Sequence, residues 1–192
     1  MDLTKLAIEP LDRRHDRAAF SCDEPSLTDY LHRQARQDVD RDLASCWVLC
    51  AQDGTEIIGY YTLTATSVDV SSLPADLAKK SGRYHAVGAA LLGRLAVDSR
   101  YARQGLGSHL LLNALRRVLR TTERGIAVKA VMVDALHERA ATFYEKFGFQ
   151  RIEEVGSGEG DEHRANRSIC MVLSLKTIRA IFPGEGIELD QD

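Results

Sequence analysis

From residue 105 to 120 apolar side chains recur three and four positions apart, at Leu106, Leu110, Leu111, Ala114, Leu115, Val118 and Leu119, while Arg116, Arg117 and Arg120 fall on the outward side. That spacing predicts an amphipathic helix with one buried face. A second helix is predicted from Leu27, Tyr30 and Leu31, entered through Pro25 with Ser26 as its N-cap. A short third helix is predicted over 138–147, with Ala140, Phe143 and Phe147 turned inward. Apolar, β-branched or aromatic runs at 6–8, 46–51, 56–65, 89–98, 128–133 and 168–175 predict strands, and Asp53-Gly54 marks a hairpin between the second and third. Within 89–98, Leu91, Gly93, Leu95 and Val97 alternate with Arg94 and Asp98, the pattern of a strand covered mainly on one side. Residues 71–88, with Pro74, Gly82 and the cluster Lys79, Lys80 and Arg83, read as a loop holding one helical turn. Strands interspersed with helices give an α/β fold on a mixed sheet. The glycine-rich 156–160 segment and the acidic end after Phe182 are expected to be mobile.

Length and composition narrow the function classes. At 192 residues the chain holds one ordinary domain, placed at 1–182, with 183–192 as an acidic tail. Its 44% hydrophobic and 28% charged content, with 4 Pro, excludes wholesale disorder and collagen-like structure. No apolar stretch approaches the roughly 18–20 residues that cross a bilayer, and residues 1–8 lack the basic start and apolar core of a signal peptide. A cytoplasmic location with no membrane partner is therefore expected. Cysteines 22, 46, 50 and 170 form no CxxC pair; they read as reduced apolar fillers rather than metal or redox groups, with Cys46 and Cys50 on one strand face. No metal cofactor is expected. A net charge of −3 gives no general attraction to nucleic acid, so any RNA contact needs a local basic patch.

The most informative stretch runs strand, turn, helix: Arg94-Leu95-Ala96-Val97-Asp98, then Ala102-Arg103-Gln104-Gly105-Leu106-Gly107-Ser108. The first turn of a helix leaves amides without acceptors, and glycines let an anion reach them without meeting a Cβ, so a diphosphate fits there. Arg103 adds a charge and Ser108 a hydroxyl. Glycines before a helix serve turns as often as ligands, and this stretch has neither the Gly-Lys-Ser/Thr ending of a P-loop nor the full dinucleotide-binding glycine spacing.

These residues resemble the GNAT superfamily of acetyl-coenzyme A-dependent N-acetyltransferases, whose loop reads Arg/Gln-x-x-Gly-x-Gly/Ala after a strand. Ala102 stands where the family carries Arg or Gln, which leaves the backbone cradle available. The resemblance implies a mainly antiparallel central sheet flanked by helices and acetyl-CoA as cosubstrate. It places Ala102, Arg103, Gln104, Gly105, Leu106, Gly107 and Ser108 around the diphosphate, and main-chain groups of Leu95, Ala96 and Val97 along the pantetheine arm. It continues in His137-x-x-Ala140-x-x-Phe143-Tyr144-x-x-x-Gly148-Phe149, similar to the family's Asn-x-x-Ala-x-x-apolar-Tyr-x-x-x-Gly-Phe. His137 takes the Asn place, where it either contacts pantetheine or caps the helix. By spacing alone Tyr144 is a core aromatic; the matched family position makes it the general acid. Expulsion of the coenzyme A thiolate calls for a proton, and a phenol of reference pKa about 10 carries one at neutral pH. A backbone amide near Val97 is placed to polarise the thioester carbonyl.

The attacking amine must be uncharged, and a lysine near 10.4 is almost wholly protonated at neutral pH whereas an α-amine near 7.7–8.0 is not. With Asp98 and Asp134 read as strand-end residues, no base stands out. An α-amine is then the more economical acceptor, its proton relayed by water. Phe20-x-Cys22 with Leu27-x-x-Tyr30-Leu31, then Gly59-Tyr60-Tyr61-Thr62-Leu63, then Gly93-Arg94-Leu95-Ala96-Val97-Asp98 extend the resemblance over roughly residues 6–180 to the toxin branch of toxin–antitoxin modules. Those enzymes acetylate aminoacyl-tRNA and stop translation. The resemblance implies a ribbon-helix-helix antitoxin as partner, operator DNA bound only through that complex, and room for a homodimer. Candidate RNA contacts are Arg33, Arg36 and Arg41 around the first helix, and Lys79, Lys80 and Arg83 in the loop, each otherwise a solvated surface charge. Asp38, Asp40 and Asp42 beside the arginines count against that cluster. Two alternatives stay open: acetylation of a small amine or a protein N-terminus, and a domain that binds acetyl-CoA without turnover.

Overall fold

The computed structural model describes residues 5–52, 54–152 and 168–183. In chain order its elements are β1 (Leu6–Pro10), α1 (Pro25–Arg33), α2 (Ala35–Asp40), β2 (Ser45–Ala51), β3 (Ile57–Asp69), α3 (Ala75–Lys79), β4 (Ala86–Val97), α4 (Leu106–Glu123), β5 (Ala130–Ala135), α5 (Glu138–Glu145), β6 (Gln150–Arg151), β7 (Ile169–Ser174) and α6 (Leu175–Ile181). The strands are ordered β1-β2-β3-β4-β5-β7-β6, and the pairs β1–β2, β2–β3, β5–β7 and β6–β7 run antiparallel. This is the expected α/β architecture. Asp53 of the hairpin turn, the 156–160 segment and residues 184–192 of the acidic end lie outside the described residues.

The chain divides into two compact units, of which the first comprises Met1–Thr64 and Leu92–Ala114. Its core gathers Phe20, Tyr30, Leu31, Cys46, Val48, Cys50, Ile57, Tyr60 and Ala96. Tyr60 meets Phe20 edge-on at 5.5 Å, and its buried hydroxyl donates to the Leu27 carbonyl at 2.7 Å. Cys46 and Cys50 share this interior as free thiols, each pushed up to about 12 chiefly by burial, so they behave as apolar filler. Helix α1 starts two residues earlier than the sequence suggests: Glu24 is the N-cap, Pro25 takes the first helical position and Ser26 lies inside. Proline's missing amide is harmless there, and its ring holds the preceding residue extended, so Pro25 itself sets the boundary. On β4 the expected core face is reversed. Leu92, Ala96 and Asp98 are buried, whereas Leu91, Gly93, Leu95 and Val97 are half-buried. Both alternating sets are largely apolar, so periodicity does not choose between them; packing of Ala96 into the Tyr30–Tyr60 cluster does.

The second unit comprises Ala65–Leu91 and Leu115–Asp192. Val68, Leu73, Leu77, Ala89, Ala130 and Val172 form one of its cores. On α5 the buried residues are Ala141 and Tyr144, while Ala140, Phe143 and Phe147 are half-buried, so the inward face is turned by one position from the expected one. Helix α6, not anticipated from sequence, is capped by Ser174 Oγ, which accepts the Thr177 amide at 3.0 Å, and buries Leu175 and Ile178. Along α4 all seven expected apolar positions are buried. Arg116 does not face outward as expected: its guanidinium lies 4.9 Å over the Phe182 ring.

Candidate active site

In the first unit, β4 ends at a carboxylate that organises the turn after it. Asp98 is 1% exposed and accepts the amides of Ser21 at 3.0 Å and Arg100 at 2.9 Å, together with the Arg100 Nε at 2.9 Å. Burial alone pushes this carboxyl up, but the Arg100 guanidinium and the two amides outweigh it and hold it below the usual aspartate value. Arg100 in turn meets Glu56 at 2.7 Å. Asp98 is therefore a structural clamp, in keeping with the reading that set it aside as a base.

Past this clamp the backbone takes two left-handed steps, Arg103 at φ 60 and Gly105 at φ 79. A non-glycine residue in that region is uncommon and collects at functional turns. The first bond inside α4 runs from the His109 amide to the Gly105 carbonyl at 3.1 Å. The amides of Gly105, Leu106, Gly107 and Ser108 precede it and have no acceptor within the helix. Nothing lies within 4 Å of where a Cβ would sit on Gly105, so the space before these amides is open and suits a diphosphate. Arg103 and Gln104 are exposed at its rim, Ala102 is half-buried, and Leu106 is buried as the anchor of the helix. A further anchor is Gly59 on β3, where a Cβ would stand 2.8 Å from Leu110 Cδ1 and 2.9 Å from the Ala96 carbonyl; its absence lets α4 sit directly on the sheet.

In the second unit the Tyr144 segment is built by its two ends. His137 is the N-cap of α5, and its Nδ1 accepts the Ala140 amide at 3.1 Å, the bond an asparagine in that place would make. At the other end Gly148 turns left-handed at φ 88; its amide donates to the Glu145 carbonyl at 2.9 Å, and that of Phe149 to the Tyr144 carbonyl at 3.4 Å. This is a Schellman-type closure, and its customary apolar contact is the Tyr144–Phe149 ring pair at 5.4 Å. Phe143 packs edge-on against Tyr144 at 5.2 Å. The Gly-Phe of the motif thus fixes the tyrosine. Arg151 adds a staple on the outside, bidentate to Glu138 at 2.9 and 2.7 Å and reaching Glu145 at 2.8 Å. Tyr144 is 8% exposed; burial, then the nearby charge of Asp134, raises its phenol well above the ordinary value, so the hydroxyl keeps its proton.

The basic candidates separate by their surroundings. Arg33 is exposed and 4.0 Å from Asp29, and Arg36 pairs with Asp40 at 2.7 Å. Lys79, Lys80 and Arg83, on and after α3, are exposed. Sequence reasoning missed Gly59 as the seat of α4 and Phe149 as the brace of Tyr144; the closeness of strand to helix, and the return of the chain after Gly148, have no signature in periodicity. A third group, Glu9, His15 and Cys50, brings potential metal ligands within 4.8 Å of one another. Its groups serve each other instead: the Asp12 amide donates to His15 Nδ1 at 3.0 Å, and Nε2 meets Glu9 at 2.8 Å.

Residues 42–151 match the acetyltransferase (GNAT) domain family. The chain is 37% identical over 135 residues to the tRNA-acetylating toxin of Mycobacterium tuberculosis (strain ATCC 25618 / H37Rv), covering 70% of this chain and 78% of that protein. It is 30% identical over 186 residues to the probable toxin TacT of Sinorhizobium fredii (strain NBRC 101917 / NGR234), covering 93% and 96%. Among solved structures, AtaT complexed with acetyl-methionyl-tRNAfMet has a TM-score of 0.78 at 27% identity, covering 92% of this chain and 99% of that one. A tyrosine-to-phenylalanine mutant of AtaT, bound to the C-terminus of the antitoxin AtaR and to acetyl-CoA, has a TM-score of 0.73 at 25% identity, covering 93% and 99%. A KacTA–DNA complex has a TM-score of 0.70 at 26% identity, covering 92% and 98%.

Proposed function

The chain belongs to the GNAT acetyltransferase family, and from that premise we propose that it is a toxin that moves the acetyl group of acetyl-CoA to the α-amine of aminoacyl-tRNA and so blocks translation. The observation that carries the cosubstrate is the open left-handed glycine at the head of α4, with its row of unpaired amides. The amides of 105–108 hold the diphosphate, with Arg103, Gln104 and Ser108 at the rim, and the main chain of Leu95, Ala96 and Val97 lines the pantetheine arm. His137 serves as the cap of α5. The acceptor is supported by the relatives, of which one is named for tRNA acetylation and one neighbour holds an acetylated aminoacyl-tRNA.

The α-amine nitrogen attacks the thioester carbon, an N–C bond forms and the C–S bond breaks. Tyr144 gives its proton to the departing sulfur and regains one from the new ammonium through water, so the reaction ends with an amide and a free thiol. Burial keeps the phenol in its protonated form at working pH, so the proton the departing sulfur needs is in place. The uncharged amine is supplied by the acceptor's own low pKa, about 7.7–8.0, which removes the need for a dedicated carboxylate base.

Arg33, Arg36, Lys79, Lys80 and Arg83 are the proposed RNA contacts. The antitoxin complex of AtaT and the DNA complex of KacTA support an antitoxin partner here; the ribbon-helix-helix type of that partner, and operator DNA bound through it, are part of the proposal. A homodimer and a cytoplasmic site of action belong to the same proposal; among the described residues no helix is long and apolar enough to cross a membrane. The test is incubation with radiolabelled acetyl-CoA and a charged tRNA pool. Label on the α-amine of an aminoacyl ester is the expected result, and label on no tRNA removes the acceptor assignment.

A further inference from the structure

Between α3 and β4 the protein gathers positive charge that no carboxylate among the described residues pairs with. From residue 77 to 93 the chain carries Lys79, Lys80 and Arg83 and no Asp or Glu, in a molecule whose net charge is −3. Buried Leu77 pins α3, and Ser81 Oγ donates to the Leu77 carbonyl at 2.9 Å, closing the helix. Gly82 then turns left-handed at φ +64, with nothing within 4 Å of where a Cβ would sit, and swings the following residues into solvent. Lys79, Lys80 and Arg83 are exposed there. Lys129, leading into β5, joins them: its Nζ donates to the Lys80 carbonyl at 3.1 Å while its amide donates to the Gly88 carbonyl at 2.8 Å. Among the described residues no carboxylate pairs with Lys79, Lys80, Arg83 or Lys129. The acids flanking the turn in sequence are Asp76 and Asp69, and the latter is occupied by the Ser71 amide at 2.9 Å and hydroxyl at 2.7 Å.

In the same turn, next to Arg83, stands Tyr84, 74% exposed, where Leu43, Ile126 and Leu136 reach 58%, 64% and 47%. A ring so placed contributes little to folding, yet it offers a flat π-face beside several positive charges. That combination matches a single-stranded nucleic acid, which presents phosphates and base faces in alternation; an acidic peptide would use the charges and leave the ring idle. The arginines of α1 and α2 differ, since Arg33 and Arg36 already face Asp29 and Asp40.

Resting on the aminoacyl-tRNA reading, we propose that the α3–β4 turn is the RNA-gripping surface of this chain, with Lys79, Lys80, Arg83 and Lys129 on backbone phosphates and Tyr84 stacked on an unpaired base. The first measurement is fluorescence anisotropy of the full chain with a labelled single-stranded RNA of about 12 nucleotides, over about 50–200 mM KCl. The Lys79→Glu/Lys80→Glu/Arg83→Glu variant is expected to weaken Kd by about a hundredfold and to flatten the log Kd against log salt slope by about 2. Tyr84→Ala is expected to weaken it about tenfold, with Tyr84→Phe and Tyr84→Trp restoring it, because stacking needs a ring and not a hydroxyl. Arg33→Glu/Arg36→Glu serves as the contrast, with a smaller loss. The second measurement is acetylation of charged tRNA, where the turn variants raise KM for tRNA and leave kcat and the KM for acetyl-CoA in place. Parent-like Kd in the triple variant overturns the surface whether or not the chain acetylates tRNA. Loss by charge reversal with no effect of Tyr84→Ala overturns the base-stacking role. A chain that binds RNA through this turn yet labels no tRNA removes the acceptor assignment and keeps the surface.

Discussion

The head of α4 and the middle of α5 solve different problems with different materials. At the head of α4 the working groups are main-chain amides, aimed by two left-handed residues and by a helix seated on Gly59. In α5 the proposed working group is one phenolic oxygen, held by a cap, a glycine closure and a pair of phenylalanines. A site made of backbone tolerates side-chain change, so Ala102, where the resemblance expects Arg or Gln, leaves the amides of 105–108 in place. A site made of one side chain has no such latitude.

That contrast is sharpest at Tyr144. Tyr144→Phe keeps the ring and its packing and removes the proton, so kcat is expected to fall by about 10²–10⁴-fold while the affinity for acetyl-CoA is unchanged; steady-state kinetics beside calorimetry separates the two. Since burial raises the phenol, the parent rate should climb with pH through the acceptor amine, about tenfold per unit below roughly 7.7, without a descending limb from Tyr144 up to about pH 10. A fall near pH 9 that vanishes in Tyr144→Phe would contradict it.

The loop is expected to break more gradually. Asp98→Ala removes the shared acceptor of two part-buried amides and is expected to cost about 1–2 kcal/mol in denaturant unfolding and to raise the KM for acetyl-CoA. The Asp98 carboxyl sits below its ordinary 3.8 in the folded chain, so its stabilising share is complete above that value and drains as pH falls through the lower folded value. The gap between parent and Asp98→Ala should therefore close in acid. Gly105→Ala meets no neighbour, only the φ of +79, and is expected to cost about 1 kcal/mol with a severalfold rise in KM for acetyl-CoA. Ala102→Arg is the smallest: less than about threefold in that KM, since the amides are already in place.

Much of this was legible in the residues themselves. The spacing of α4 translated directly into its seven buried positions, because an 18-residue helix repeats its pattern often enough to be unambiguous. Helix α5 has 8 residues, and its more apolar phenylalanines outvoted the tyrosine that is in fact buried. The face of β4 was misjudged because Leu92 and Ala96 are as apolar as Leu91 and Leu95. The glycine loop and the Tyr144 segment were readable as motifs, but the Asp98 clamp depends on Ser21, far away in sequence. The exposure of Tyr84, and the lack of a carboxylate partner for Lys80 among the described residues, are likewise properties of the folded surface with no one-dimensional trace.

A cradle of amides also shapes how this gene is disarmed. Where such a chain arrests the growth of its own host, survivors carry disabling mutations, and few codons in the loop offer one, since most replacements there leave the main chain untouched. Escape alleles should pile up instead at the packing seat of Gly59, and above all at the codon for a single ring hydroxyl.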